Sequence, residues 1–365
     1  ADCNMSRPPA VRSRIWRALS QHFVDVASHG NARIGIYAID SLRQLSNKFL
    51  EKDAASANSS PAEFLEPFEV VMTHKDTVSR DAKELVVSGI DFIVQGQMHG
   101  LKSGWRTVFR ILQAAAQDHD NKAVPASAFR VLSRVAEDPS RQLFAGGFFR
   151  DAVRTLQAFG QCRASKEISL QAIKYLLQGA AHLAGGPPAA ALSSSAQDSG
   201  KTPEGEATPG GVGAHDEQVA EWFVVLRALA VLCSDPRGEV RAAALAGTFA
   251  CLRDHGAVVF DEEAWRIVIK GVIRPIFDDV LVQLQSGDDS FAPVVSGVIL
   301  KGLRSLKDEH LARYMSDIFP LLCELVSVNS PEVRRGVREV LVSRISPLLS
   351  QLPTATLLAA AAAGG

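Results

Sequence analysis

Residues 234–245 read SDPRGEVRAAAL, a polar turn followed by a branched apolar residue and a run spaced for a helix. The same order of features recurs along the chain, with the branched residue at Ile34, Val78, Val124, Ile168, Val240 and Val333. The first three intervals are 44, 46 and 44 residues. A repeat of about 40–47 residues has the length of a two-helix HEAT unit, and such a unit must stack on neighbours to bury its apolar face. We therefore predict an all-α fold, an α-solenoid of HEAT- or armadillo-like helical hairpins.

The two longer intervals have separate explanations. The interval of 93 residues holds two periods with a degenerate turn near Val294, and the interval of 72 residues spans an insertion. From residue 185 the insertion is rich in Gly, Pro, Ser, Ala and Thr and has no aromatic residue, so it cannot bury enough apolar surface to offset ordering. The expected segments are a disordered or cut upstream linker (1–13), a first repeat region (14–184), a disordered linker (185–218), a second repeat region (219–350) and a frayed tail (351–365).

The turns predict specific contacts. We expect Asp235 or Asn329 to cap the helix that follows, because short polar side chains accept hydrogen bonds from exposed backbone N–H groups. Arg241 and Arg334 follow at the position where HEAT repeats carry an arginine, which can bond the preceding loop or the neighbouring unit. The four tryptophans are expected in the core or between repeats. They are Trp16, Trp105, Trp222 and Trp265.

Composition excludes several classes of protein. Lys plus Arg is 39 and Asp plus Glu is 40, and this near-neutral balance argues against a nucleic-acid binder. No run of 18 apolar residues that would predict a membrane span occurs. The five cysteines are isolated, with no C-x-x-C spacing, which argues against a disulfide framework and a zinc site. We expect the last four cysteines to be small buried apolar side chains.

Enzyme motifs are incomplete in this sequence. Gly200-Lys201-Thr202 matches the end of a phosphate-binding loop, but the glycine that this motif needs at position 195 is Ser195. The nine histidines include no H-E-x-x-H pair. We therefore predict no catalytic, cofactor-binding or metal-binding residue, and no enzymatic activity in this segment.

The segment 14–52, RIWRALSQHFVDVASHGNARIGIYAIDSLRQLSNKFLEK, resembles a known family. It is similar to the first homology region downstream of the catalytic domain in the large brefeldin A-inhibited exchange factors for Arf GTPases, the BIG family. The resemblance continues in FLEPFE (64–69), SGWRTVF (103–109) and KEISLQAI (166–173). Beyond the insertion, residues 234–245 and IFPLL (318–322) resemble the further downstream regions.

The resemblance implies a non-catalytic regulatory segment of an Arf guanine-nucleotide exchange factor, without the exchange domain. It implies GTP-bound Arf-type or Rab-type small GTPases as partners, no nucleic acid, and a homodimer through upstream regions. It also implies a cytoplasmic protein that is peripheral on trans-Golgi membranes and takes part in vesicle-mediated transport. The alternative is a generic HEAT-repeat scaffold or transport adaptor that is unrelated to nucleotide exchange.

The helix predicted over 31–51 carries the candidate site. Its apolar stripe contains Ala38, Leu42, Leu45 and Phe49, with Ile34 at the beginning, and its opposite stripe is polar. One interpretation of the polar stripe is a solvated face with weak ion pairs of about 0.2–0.5 kcal/mol each. The resemblance instead implies a surface that contacts or supports a partner GTPase, and the same residues could equally fix packing between repeats. The candidate partner-binding residues are Tyr37, Asp40, Arg43, Gln44, Asn47 and Lys48.

Overall fold

The computed structural model describes residues 8–53, 61–73, 78–118, 122–138, 144, 147–185, 211–285, 300–305, 308–313, 315–328 and 330–351. Within these ranges the secondary structure is helical, with no strand. The chain divides into two compact units, Ala1–Tyr175 and Leu176–Gly365. The all-α prediction is confirmed.

The first unit is built from helical hairpins that stack in two rows. Helices α1, α3, α5 and α7 each pack on the next member of their row, and α2, α4 and α6 do the same in the other row. The pairs α1–α2, α3–α4 and α5–α6 also pack together, which is the layered arrangement of a HEAT-type stack. The helices are α1 (Pro9–Ala27), α2 (Ala32–Asp53), α3 (Pro61–Thr73), α4 (Arg80–Gln97), α5 (Gly104–Ala116), α6 (Ala123–Glu137), α7 (Phe149–Gln161) and α8 (Lys166–Gly185).

Aromatic side chains fill the core of the first hairpins. The Trp16 ring lies 5.2 Å from that of Phe49 and 5.4 Å from that of Phe64, which joins α1, α2 and α3. Further along, the Phe129 ring lies 6.2 Å from that of Tyr175, which joins α6 to α8. All four tryptophans are at most 3% exposed, so their predicted place in the core is confirmed.

The second unit repeats the two-row arrangement. Helix α10 packs on α13 and α13 on α16, while α12 packs on α15 in the other row. Helix α13 lies between α10 and α16, which is consistent with a second period inside the 93-residue interval, and the degenerate turn expected near Val294 lies outside the described residues. The helices are α9 (Gly211–Cys233), α10 (Gly238–Val259), α11 (Glu262–Val268), α12 (Arg274–Gln285), α13 (Leu300–Ser305), α14 (Asp308–Arg313), α15 (Met315–Val326), α16 (Pro331–Val340) and α17 (Ser346–Gln351). Single π-helical turns, Ile269–Ile273 and Leu341–Ile345, follow α11 and α16.

The recurring turns precede the second helix of each hairpin, as predicted. The Arg241 guanidinium Nη1 donates to the carbonyl oxygen of Asp235 at 3.0 Å, so its contact with the preceding loop is confirmed. Asp235 does not cap α10: its Oδ1 accepts from the N–H of Arg237 at 2.8 Å, before the helix begins. Asn329 lies outside the described residues, and Ser330 caps α16 instead. Arg334 is exposed.

Two of the expected segment boundaries differ from the structure. Helix α1 already begins at Pro9, inside the segment expected to be a linker. Helix α9 begins at Gly211, although the linker was expected to extend to 218. The α9 extension is anchored because the Gln218 side-chain amide donates to the carbonyl oxygen of Leu183, in the last turn of α8, at 3.1 Å. Residues 186–210 and 352–365 lie outside the described residues.

Three predictions of burial were wrong. Cys323 is exposed, whereas Cys162, Cys233 and Cys251 are buried as expected. Ile34 is 40% exposed, and Leu45 is partly exposed. Helix α2 contacts three helices, α1, α3 and α4. Its buried face therefore includes residues of α2 that lie outside the predicted stripe. These include Ile39, Ser46 and Leu50.

Candidate functional site

Helix α2 presents the predicted polar stripe to solvent. Tyr37 is 74% exposed, which is far more than a tyrosine needs for its hydroxyl alone to reach water. Gln44 and Lys48 are also exposed, whereas Asp40, Arg43 and Asn47 are half-buried. The six candidate residues therefore share one accessible side of α2 and differ in how far they are exposed.

Asp40 organises the centre of this surface. Its Oδ1 accepts from Arg43 Nη2 at 2.6 Å and from Arg43 Nε at 3.1 Å, and its Oδ2 accepts from Gln44 Nε2 at 2.7 Å. The hydrogen bond from Arg43 is the main reason that the pKa of Asp40 lies below its ordinary value. Both carboxylate oxygens are thus occupied, and two charged side chains and one polar amide are held in one geometry.

Arg43 also packs against the neighbouring repeat. A Cβ atom added to Gly89 of α4 would lie 3.0 Å from Arg43 Cδ and 3.1 Å from Arg43 Cγ, so the arginine stem lies directly on the α4 backbone. Only glycine leaves this space. Arg43 therefore has two roles at once: its stem fills the contact between repeats, and its guanidinium completes the polar surface.

Apolar side chains extend the surface beyond the predicted stripe. Ile34 and Tyr37 are three residues apart on α2, so they are neighbours on the helix surface, and both are exposed. On α4, Phe92 is 54% exposed and lies one turn beyond Gly89. The sequence did not single out Phe92, because a single aromatic residue in an amphipathic pattern is indistinguishable from a core residue.

A shallow groove of about 410 Å³ is lined by residues of α2, α4 and α6. Ile36 of α2 and Leu85 of α4 supply apolar walls, and Arg130 of α6 supplies a positive charge. Asp91 of α4 lies in the groove and pairs with Arg134 of α6. The accessible surface of this row of helices is therefore mixed, with exposed aromatic and aliphatic groups beside charges that are already paired.

The charged groups at the centre of this surface, Asp40 and Arg43, are held by one another. Among the described residues, no group of His, Cys, Asp and Glu side chains is placed to hold a metal ion. The Asp40 carboxylate is paired with Arg43, and a paired carboxylate with a lowered pKa is a poor proton acceptor. Within the same residues no helix is both long and apolar enough to cross a bilayer.

Comparison with known proteins identifies the chain's relatives. Residues 48–134 match the family described as Mon2/Sec7/BIG1-like, HDS, and residues 275–342 match the BIG2 C-terminal domain. Brefeldin A-inhibited guanine nucleotide-exchange protein 3 of Arabidopsis thaliana is 35% identical over 302 residues, which are 79% of this chain and 16% of that protein. Protein 1 of the same name from Homo sapiens is 30% identical over 279 residues, 76% of this chain and 14% of that protein.

The chain is similar to the HDS and C-terminal regions of BIG proteins. It spans about a sixth of the length of the relatives that it matches, in regions of BIG proteins outside the Sec7 catalytic domain. The solved structure of a circular tandem repeat protein with novel repeat topology and enhanced subunit contact surfaces has 13% sequence identity and a TM-score of 0.49, covering 93% of this chain and 85% of that one.

The match over residues 48–134 falls in the first unit, and the match over residues 275–342 falls in the second. The first begins at Lys48, near the end of α2, and includes α4 and most of α6, so it contains Gly89, Phe92 and most of the groove. The second includes α15 and α16. Of the six candidate residues, Lys48 alone lies inside a matched range, while Tyr37 to Asn47 precede it.

Proposed function

We propose that this chain is a non-catalytic regulatory segment of an Arf guanine-nucleotide exchange factor. In this proposal, GTP-loaded small GTPases of the Arf or Rab type dock on the α2 surface. Docking recruits and regulates a Sec7 catalytic domain carried elsewhere in the full-length protein, during vesicle traffic at the trans-Golgi. The chain would then reach the membrane peripherally, through its partner.

The observation that carries the proposal is the exposed Tyr37 ring beside a pre-formed polar cluster. Tyrosine and arginine are enriched among the residues that dominate protein interfaces. Here Arg43 is already held by Asp40 at 2.6 Å, so a partner would not have to order its long side chain on binding. Exposing the Tyr37 ring to water costs free energy, which burial by a partner would recover. An aromatic ring beside a rigid polar group is the combination expected at the centre of an interface.

The surface has room for a partner larger than a peptide. Tyr37 and Ile34 of α2, Phe92 of α4 and the groove that reaches Arg130 of α6 lie on successive helices of one row. A standard protein interface buries about 800 Å² on each side, which needs residues from several adjacent helices. The stacked hairpins supply such residues on a rigid support.

The test is binding of the purified chain to an Arf-type GTPase loaded with a non-hydrolysable GTP analogue or with GDP. We expect binding in the GTP form only. Tyr37→Ala should weaken it by about tenfold or more, since removing a central interface aromatic typically costs 2 kcal/mol or more. Gln44→Ala should weaken it less, and Phe319→Ala, which removes a 42% exposed aromatic from α15, serves as the matched control.

Each outcome decides between the two functions considered. Nucleotide-dependent binding that Tyr37→Ala reduces and Phe319→Ala leaves unchanged supports docking on α2. Binding that is equal in the two nucleotide states, or absent across Arf-type and Rab-type GTPases, contradicts it and favours the generic HEAT-repeat scaffold. Nucleotide-dependent binding that Tyr37→Ala does not affect would place the docking surface elsewhere on the chain.

A further inference from the structure

Three arginines on α16 have no acidic partner among the described residues. Arg334, Arg335 and Arg338 are all exposed, and none of them takes part in an ion pair there. Two neighbouring arginines are paired: Arg304 binds Glu339 at 2.9 Å, and Arg344 binds Asp308 at 2.6 Å. The acid of α16 closest to Arg338 in sequence, Glu339, is thus engaged by α13.

The arrangement of these arginines is costly in the isolated chain. Arg334 and Arg338 are four residues apart, and Arg335 and Arg338 are three apart, so the like charges are neighbours on the helix surface. Such pairs destabilise a helix by about 0.2–0.5 kcal/mol each. An anionic partner would remove this repulsion and would add charge-assisted hydrogen bonds.

Exposed apolar side chains lie beside the same arginines. A groove of about 620 Å³ between α15 and α16 is lined by the three arginines together with Val326, Pro331 and Val342. Val326 is 41% exposed and Val342 is 65% exposed. On α15 the exposed Phe319, Cys323 and Val326 follow at spacings of four and three, which is an apolar stripe turned to solvent instead of the core.

We propose that this arginine groove binds an acidic amphipathic helix of a partner protein. Its carboxylates would pair with Arg334, Arg335 and Arg338, and its apolar residues would cover Val326 and Val342. The planar guanidinium group matches a carboxylate in a two-bonded geometry, which gives orientation as well as attraction. Many proteins recognise a peptide as an amphipathic helix that lies in a groove. Apolar side chains of the peptide, one helical turn apart, then anchor it there.

The shape of the site favours a helix over a lipid surface. A bilayer is flat on this scale, so it would contact side chains that project from the protein surface. Val326 and the arginines instead line a groove between two helices, which a helix can enter. Membrane-surface helices also carry their apolar side chains on one continuous face. Here the apolar groups come from two different elements, Val326 from α15 and Val342 from the turn after α16.

The experiment measures binding of a labelled synthetic helical peptide by fluorescence polarisation. The peptide carries leucines at helical spacing with glutamates on both flanks, and its control has glutamine in place of every glutamate. We expect the intact chain to bind the glutamate peptide at least about tenfold more tightly than the glutamine peptide, with affinity falling as salt is raised. The double variant Arg334→Glu/Arg338→Glu should reverse this preference, and Val342→Asp should weaken binding of the glutamate peptide.

The matched control is Arg150→Glu/Arg154→Glu. These arginines have the same four-residue spacing on α7, and both are exposed. The control should bind the glutamate peptide like the unmodified chain. Equal binding of the two peptides would overturn charge recognition and indicate an apolar packing surface. Binding to phosphatidylserine vesicles that Arg334→Glu/Arg338→Glu abolishes, without peptide binding, would overturn the peptide proposal in favour of a lipid surface.

Discussion

The indole N–H of Trp16 donates to the backbone carbonyl of Glu63 at 2.9 Å, linking α1 to α3. In an uninterrupted helix this carbonyl would accept from the N–H of residue 67. Residue 67 is a buried proline inside α3, and proline has no N–H. Trp16 therefore supplies the donor that Pro67 withholds from the Glu63 carbonyl of α3. The hydrogen bond couples this irregularity of α3 to the packing of the first hairpin on the second.

This relationship predicts a coupling between Trp16 and Pro67. Trp16→Phe should lower the free energy of unfolding, in part because the Glu63 carbonyl loses its donor, at a cost of about 1–2 kcal/mol. In a Pro67→Ala background the new N–H can take over that carbonyl, so Trp16→Phe should cost about 1 kcal/mol less there. Urea unfolding followed by circular dichroism gives all four values. Strictly additive effects would show that the hydrogen bond contributes nothing.

A second prediction concerns the buried pair Lys83–Asp118. Their charged atoms are 3.2 Å apart, and both side chains are only 8% exposed. Lys83→Met alone removes the ammonium group that pairs with the buried Asp118 carboxylate and should cost about 3–5 kcal/mol. Lys83→Met with Asp118→Leu should cost clearly less, because two apolar groups can replace a desolvated pair. The thermal midpoints of the single and double variants provide the comparison. A double variant less stable than either single variant would contradict this account.

The buried cysteines should be chemically inert in the folded chain. Burial raises the pKa of the thiols of Cys233 and Cys251 to about 12, so almost no thiolate is present at neutral pH. Cys323 is exposed on α15. Brief treatment with a maleimide followed by mass spectrometry should label Cys323 and leave Cys162, Cys233 and Cys251 unlabelled. After denaturation all of them should react. Rapid native labelling of Cys251 would show that α10 opens locally.

The repeat architecture could be predicted from sequence because its signal is local. A polar turn, a capping residue and a helical run lie within about ten residues of one another, and they recur at the HEAT period. The Asp40–Arg43 contact is equally local, since residues three apart on a helix are neighbours. Features of this kind need no knowledge of how one hairpin meets the next.

What the sequence could not predict depends on contacts between repeats. Periodicity placed Ile34 in the core, but the α2 face turned inward is fixed by α1, α3 and α4 together. The place of the Arg43 stem on Gly89 is set by the stacking register of α2 on α4, which a single sequence does not specify. For the same reason the exposure of Phe92 and the groove at Arg130 appear only in the structure.

The pH dependence of the α2 cluster has a definite sign. The hydrogen bond from Arg43 lowers the folded-state pKa of Asp40, so the carboxylate contributes stability above its unfolded pKa. That contribution is lost as the pH falls through the lowered folded pKa. NMR titration of the side-chain carboxyl carbon should place the midpoint of Asp40 below that of an unpaired exposed aspartate. Arg43→Met should move the midpoint back toward the ordinary value, and an unchanged midpoint would contradict the assigned cause.

Arg43 offers a way to separate packing from partner binding. Arg43→Met keeps an unbranched stem that can lie on Gly89 but removes the guanidinium, so the loss of unfolding free energy should stay below about 1 kcal/mol. Arg43→Ala removes the stem as well and should cost more, because it leaves the α4 backbone uncovered. If the α2 surface docks a GTPase, both variants should weaken nucleotide-dependent binding to a similar degree, although their stabilities differ. If Arg43→Ala instead weakens binding more than Arg43→Met, in proportion to its larger loss of stability, Arg43 serves only the packing between repeats.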